Sequence, residues 1–267
     1  MARIVCDFFS EALSLNTTMT VMLPESSYQQ ASGNKGRLHP TLYLLHGYSD
    51  DHSIWSRRTS IERYAAELGL AVIMPDVDHS FYADMTYGKK YWTFLTEELP
   101  EKARSFFPLS SRREENFVAG LSMGGYGAFK WALNKPEQFA AAASLSGVLD
   151  IAKHNLERKD NDHPMALTMY NAFGGQDIKD TEHDIFYLIE KLARSDQDKP
   201  MLYQACGTED FLYQDNLDFS KLVDRLRFEV TTTFDSGSHE WSYWDHHIQH
   251  VLKWLPISKH NESNPSQ

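Results

Sequence analysis

The chain has 267 residues, 42% of them hydrophobic. That is enough for one large core, and no Pro/Gly/Ser-rich linker divides it. One domain is expected over residues 1–258, with a polar, disordered tail at 259–267. Twenty-six Lys+Arg against 37 Asp+Glu leave a formal charge of −11, which repels nucleic acid and anionic lipid, and no window approaches the ~20 apolar residues of a membrane span. Neither nucleic acid nor a membrane is therefore an expected partner. The first seven residues, with Asp7 among them, do not read as a secretory signal, so the expected location is cytoplasmic. Cys6 and Cys206 stand in no ligand-like spacing and read as two reduced core thiols.

Two early strands are predicted at 3–9 and 15–23, then a polar loop at 25–37 and a buried strand at 41–45. A helix over 53–68, closed by Gly69, leads to an apolar strand at 70–74, closed by Pro75. A helical stretch from 89 to 107 is expected to break or kink at Pro100. Then come strand 116–120, helix 123–134, strand 140–146, strand 201–206, helix 215–226, strand 228–234 and helix 241–254. Strands alternating with helices imply a mostly parallel sheet covered on both faces, an α/β fold with its site in the loops at the carboxyl ends of the strands. Residues 150–199 interrupt the rhythm and leave from that edge. They are expected to form a small cap over the site.

Gly120-Leu121-Ser122-Met123-Gly124 sits where strand-type Asn116-Phe117-Val118-Ala119 turns into a helix. This is the form of a nucleophile elbow, in which small flanking residues let strand and helix approach closely. The plain alternative is a Gly-rich turn of no chemical meaning. A serine hydroxyl is a poor nucleophile at neutral pH unless a histidine accepts its proton and a carboxylate fixes that histidine's tautomer, in the chain order Ser, acid, His. Of the histidines downstream, His154, His163, His183, His239, His246, His247, His250 and His260, only His239 follows a strand end. Asp210 follows strand 201–206 at its carboxyl edge, whereas Asp196 and Asp198 precede it and Asp215 and Asp218 fall in the next helix. Asp235, four residues before His239, is the second choice for the acid and Glu209 the third.

Such chemistry also needs two backbone N–H groups aimed at the developing oxyanion. Met123, after the nucleophile, supplies one. Gly47, in Leu45-His46-Gly47-Tyr48, permits a turn that presents the Tyr48 amide as the other, with His46 shaping the loop rather than acting as a base. His246, His247 and His250 share a helix face without a carboxylate framework, so they read as a solvated face and not as a metal site. No metal and no cofactor is expected. Trp55, Phe81, Tyr82, Tyr87, Tyr91 and Trp92 either line an apolar pocket or pack in the core.

With those residues in place the chain resembles the putative-esterase (esterase D-like) family of α/β-hydrolases, and within it the tributyrin-esterase-like bacterial carboxylesterases. The resemblance runs from about Phe8 to Trp254. It is carried by Leu44–Asp51 with Trp55, by Met74-Pro75 with Ser80–Asp84, by Tyr87-Gly88 through Tyr91 to Pro100, by Gly120–Ala128, by Cys206-Gly207 with Asp210, and by Gly237–Trp241 with Trp244. It implies hydrolysis of short-chain esters through an acyl-enzyme, without cofactor, using Ser122, Asp210 and His239 with the Tyr48 and Met123 amides as oxyanion hole. S-formylglutathione hydrolases share the fold and triad; the chain lacks the Pro-Arg-Gly-type continuation they carry after Met74-Pro75-Asp76 and runs Val77-Asp78-His79 instead. An acetyl- or feruloyl-saccharide esterase is a further alternative, and a non-catalytic binding protein on the same fold a distant one. The expected partner is a small-molecule ester, with a homo-oligomer as the alternative to a monomer.

Overall fold

A computed structural model describes residues 1–25, 38–157 and 164–257. Most of the expected polar loop at 25–37 and the whole expected tail at 259–267 lie outside the described residues. Eight strands form one sheet: β1 (Ala2–Ser10), β2 (Leu15–Leu23), β3 (Thr41–Leu45), β4 (Ala71–Pro75), β5 (Asn116–Leu121), β6 (Ala141–Leu145), β7 (Met201–Gly207) and β8 (Val230–Asp235). Their order across the sheet is β1-β2-β4-β3-β5-β6-β7-β8. β1 pairs antiparallel with β2 and β2 with β4, and all remaining pairs are parallel. β3 to β6 are buried along their whole length, which matches their continuous apolar and small residues: a strand covered on both faces has no polar side to alternate with.

Ten α-helices flank the sheet among the described residues: α1 (Ile54–Arg58), α2 (Ile61–Ala66), α3 (Tyr91–Thr93), α4 (Leu99–Phe106), α5 (Met123–Asn134), α6 (Ile151–Glu157), α7 (Pro164–Phe173), α8 (Ile185–Ala193), α9 (Tyr213–Leu226) and α10 (Trp241–Trp254). Two apolar cores result. One face of the sheet packs on α3, α4, α5, α8 and α9, the other on α1, α2 and α10.

Two helices depart from the sequence expectation. The helix expected over 53–68 is split at Thr59, whose backbone is extended. Its hydroxyl donates to the Trp55 carbonyl at 2.6 Å and accepts from the Ile61 amide at 3.1 Å, so one side chain ends α1 and starts α2. This is the competition that Thr side chains offer to helical bonding. The kink expected at Pro100 is instead a π-helical turn, Phe94–Glu98, between α3 and α4, with the Leu99 amide reaching back to the Phe94 carbonyl. Proline removes the donor that would have served the Thr96 carbonyl, and the Gln138 side-chain amide lies 3.4 Å from that oxygen.

Residues 150–199 divide by role. α8 packs against α5 and α9 as part of the outer helical layer. α7 lies at the carboxyl edge, where Thr168 Oγ1 is 2.8 Å from the Tyr48 hydroxyl and the Ala172 and Asn171 carbonyls accept from the Thr86 and Tyr87 amides. Among the described residues no helix is long and apolar enough to cross a membrane.

Candidate active site

Ser122 stands between β5 and α5 with φ +52° and ψ −118°, a backbone conformation that side-chain-bearing residues rarely adopt and that clusters at functional sites. It is imposed by the tight reversal of direction. A Cβ on Gly120 would lie 2.3 Å from the Gly124 carbonyl oxygen, and one on Gly124 would lie 2.5 and 2.6 Å from the Leu45 and His46 oxygens. Only hydrogen at these two positions lets α5 start directly beneath the end of β3.

The other two groups arrive from strand ends farther along the same edge. Asp210 follows β7 and His239 follows β8. His239 Nε2 lies 3.0 Å from Ser122 Oγ, and its Nδ1 lies 2.9 and 3.1 Å from the two Asp210 oxygens. Nδ1 faces only carboxylate, so it carries the proton, and Nε2 presents a lone pair to the serine hydroxyl. The Asp210 side chain is fully buried and that of His239 is 20% exposed. Burial raises the Asp210 carboxyl, yet hydrogen bonds from His239 and the Leu212 amide, with the charge His239 can carry, outweigh it and hold the group below the ordinary aspartate value.

The second and third choices for the acid are engaged elsewhere. Asp235 accepts from the Tyr243 hydroxyl at 2.8 Å and lies 3.2 Å from His247 Nε2. Glu209 accepts from the Gly237 amide at 2.6 Å and so ties down the loop that carries His239.

Tyr48 lies on the loop after β3, and Met123 directly follows Ser122 as the first residue of α5. A peptide unit is planar, so anchoring a carbonyl also aims the N–H of the next residue. The Gly47 carbonyl, in one plane with the Tyr48 amide, accepts from His46 Nδ1 at 2.7 Å and from the Asp50 amide at 3.3 Å. The Ser122 carbonyl, in one plane with the Met123 amide, accepts from the Tyr126 and Val148 amides at 3.1 and 3.3 Å. Met123 also opens a 12-residue helix, whose first N–H groups are unpaired within the helix and favour negative charge.

His46 has the shaping role expected of it. Burial pushes its pKa down, and its Nε2 accepts from the Val77 amide at 3.1 Å. The neutral tautomer with the proton on Nδ1 satisfies both contacts, which leaves the Asp76 carboxylate, 3.7 Å away, as a neighbour and not an ion-pair partner. The loop is braced further by Trp55, whose indole donates to the Leu45 carbonyl at 2.9 Å, and by Tyr82, whose hydroxyl donates to the His46 carbonyl at 2.8 Å. Lys130 in turn donates to the Tyr82 carbonyl at 2.6 Å, with its ammonium 4.4 Å from the Trp92 ring centre. Burial pushes the Lys130 pKa down to about 7.

Trp55, Phe81, Tyr82 and Tyr91 are therefore core residues. Tyr87 is exposed and stacks on Tyr170. His79 stacks on Tyr48 at 4.3 Å, and Phe211, 74% exposed, lies 4.5 Å from the His239 ring. The bracing roles of Glu209, Tyr82 and Lys130 were not foreseen from sequence. One signal was available: Lys130 is a lone cation on the wholly apolar and small face of α5, and a buried lysine must find a carbonyl or an aromatic face.

His246, His247 and His250 are grouped on α10, with ring centres 4.5 to 5.4 Å apart. Among the described residues no group of three His, Cys, Asp or Glu side chains is arranged to hold a metal ion. Cys6 and Cys206 are both free thiols, on β1 and β7.

The model of the putative esterase family matches residues 10–255. The chain belongs to this family. It is 32% identical over 265 residues to an acetyl esterase of Caldicellulosiruptor saccharolyticus, an alignment covering 96% of this chain and 98% of the relative. Two solved structures from Staphylococcus aureus are each 40% identical, with 96% of this chain and 98% of theirs covered. They are the fluorophosphonate-binding serine hydrolase F with substrate bound, at a TM-score of 0.86, and an S-formylglutathione hydrolase, at 0.84. The fold is that of the α/β-hydrolase esterases, and the family places the chain among the carboxylic ester hydrolases.

Proposed function

We propose that the protein is a serine carboxylesterase that hydrolyses short-chain acyl esters through a covalent acyl-enzyme, with Ser122 as nucleophile, His239 as general base and acid, and Asp210 as the group that fixes the imidazole. The observation that carries this reading is the unbroken contact path from Ser122 Oγ to His239 Nε2 at 3.0 Å and from His239 Nδ1 to Asp210 at 2.9 Å. Ser122 Oγ attacks the ester carbonyl carbon while His239 Nε2 takes its proton. The tetrahedral oxyanion forms against the Met123 and Tyr48 amides. His239 then gives the proton to the departing alcohol oxygen, and water repeats the sequence on the acyl-enzyme, restoring Ser122 and releasing the acid.

The acetyl group named for the Caldicellulosiruptor relative favours a small acyl group. Met169 and Phe173 of α7, both buried, and the Thr168–Tyr48 contact put α7 beside the site. The carboxyl-edge part of residues 150–199 is accordingly read as a small cap that sets preference on the alcohol side. The 40% identity to an S-formylglutathione hydrolase favours a second reading, a thioester of a one-carbon acyl group, which the same machinery would cleave with a thiol leaving in place of the alcohol.

The test is covalent labelling joined to turnover. A fluorophosphonate should modify one site, located on Ser122 by mass spectrometry, and Ser122→Ala should lose at least about 10³-fold in kcat on p-nitrophenyl acetate while staying folded. Turnover by purified Ser122→Ala close to that of the wild type would overturn the assignment. Relative kcat/KM on S-formylglutathione and on acetyl esters separates the two readings.

A further inference from the structure

We propose that Phe211, on the turn after β7, is a specificity-determining residue: its ring is the apolar face on which the alcohol part of the ester packs, so the enzyme favours esters of alcohols that carry a flat apolar group. This rests on the Ser122, His239 and Asp210 reading above.

Phe211 is 74% exposed, the highest value among the large hydrophobic side chains of the described residues. One exposed hydrophobic residue needs no explanation by itself. Its place is what carries the argument, because its ring centre lies 4.5 Å from that of His239, with the planes tilted by 48°. The backbone beneath it is fixed by the residue that holds His239. The Leu212 amide donates to Asp210 Oδ1 at 2.8 Å, and the Tyr213 amide donates to the Asp210 carbonyl at 2.9 Å. Asp210 and Leu212 are both buried, so the turn presents the phenyl group of residue 211 to solvent beside the imidazole.

His239 has a second aromatic neighbour. Trp244 stands edge-on to it with ring centres 4.9 Å apart, and its indole N–H donates to Ser146 Oγ at 3.1 Å. Trp244 is sealed in the core, whereas Phe211 keeps most of its surface open. Of these two rings, only Phe211 has a face left for a ligand.

The chemistry decides which part of the ester comes there. In the proposed mechanism His239 Nε2 gives its proton to the departing alcohol oxygen, so that oxygen must come within hydrogen-bond reach of Nε2. The acyl carbon is bound to Ser122 Oγ, and the oxyanion is drawn to the Tyr48 and Met123 amides. Only the alcohol is drawn to the imidazole. An alcohol that extends beyond its first carbon therefore meets the ring that packs on His239. A phenyl face rewards apolar area taken from water, and flat rings above all.

Benzyl acetate and ethyl acetate test this, since they share an acyl group and differ in whether the alcohol carries a flat ring. Wild-type kcat/KM should be about tenfold higher for benzyl acetate, the scale of burying one ring against another. In Phe211→Ala the ratio should fall to within about threefold, with kcat/KM for ethyl acetate within twofold of wild type. Phe211→Tyr keeps the ring face and should keep the preference. Thermal unfolding checks the fold of the alanine variant, and Phe211→Leu, which keeps apolar bulk without a flat ring, serves if that variant does not fold. A wild type with no preference for the benzyl ester would overturn the proposal. So would an equal loss on both esters in Phe211→Ala, the mark of a residue that merely steadies His239. Ser122→Ala is assayed alongside: if it retains turnover, the nucleophile assignment itself has failed, whereas an inactive Ser122→Ala beside an unchanged ester ratio in Phe211→Ala sinks only the role of Phe211.

Discussion

Replacing Gly124 by alanine tests whether the elbow and the oxyanion loop are one rigid body. The added methyl carbon would sit 2.5 Å from the Leu45 oxygen and 2.6 Å from the His46 oxygen. Carbon and carbonyl oxygen settle at about 3.3 Å or more, so helix and loop must separate by roughly 0.8 Å. Neither carbonyl can swing aside, since Trp55 holds the first and Tyr82 the second. The displacement therefore falls on the loop as a unit and carries the Tyr48 amide away from the place where the proposed mechanism puts the oxyanion. A misplacement of about an ångström, or the loss of one oxyanion donor, costs on the order of 10²-fold. Gly124→Ala should thus lower kcat about 10²-fold with a smaller change in KM, and overpacking should destabilise it by about 1–3 kcal/mol. Steady-state hydrolysis of p-nitrophenyl acetate and thermal unfolding measure the two effects. A variant with kcat within threefold of wild type and an unchanged Tm would refute the reasoning.

The remaining predictions concern the acid, the buried lysine and the cap. Asp210→Asn should cost about 10⁴-fold in kcat by stranding His239 in the wrong tautomer, while Asp235→Asn, which touches Tyr243 and His247, should cost far less; kinetics of the two variants decide between them. Because burial lowers Lys130 from 10.5 to about 7, the unfolded chain binds the extra proton between those values. Stability should therefore rise with pH across that window by up to about 1.4 kcal/mol per unit. Denaturant unfolding of wild type and Lys130→Met at pH 7 to 10 should show this slope in their difference, and a pH-independent difference would count against it. For the cap, kcat/KM measured from C2 to C12 esters should be highest at acetyl to butyryl. Changing Met165, Met169 and Phe173 together to alanine should alter the alcohol preference. An optimum at C8 or beyond, or an unmoved alcohol preference, contradicts the respective claim.

The order of strands and helices was legible because fully buried parallel strands and amphipathic helices leave distinct periods. The position of a residue relative to a strand's carboxyl end was therefore legible too. That rule alone separates Asp210 from Asp196, and His239 from His183, and the geometry brings Ser122, Asp210 and His239 within hydrogen-bond distance. What the sequence hid were interactions decided by distant partners. Thr59 splits a helix through its own hydroxyl, which propensity alone did not reveal. The Thr96 carbonyl that Pro100 leaves without a helical donor meets the Gln138 side chain, far along the chain. The braces of the site join residues tens of positions apart: Tyr82 to His46, Lys130 to Tyr82, Trp244 to Ser146. No local pattern encodes such pairs, and the surplus of short polar side chains in loops offers many equal candidates.

Ser122 follows a central strand, whereas His239 follows β8, the outermost strand, whose side chains are largely half-buried or exposed. The proposed nucleophile and base are therefore split between a buried strand and an edge strand of one sheet. Opening of an edge strand requires far less free energy than opening of the centre, so transient detachment of β8 would silence the enzyme while leaving the cores intact. Turnover lost under mild denaturant before the loss of core fluorescence would then report fraying of a single margin, and in refolding the return of activity would trail the return of compactness by the time that margin takes to dock.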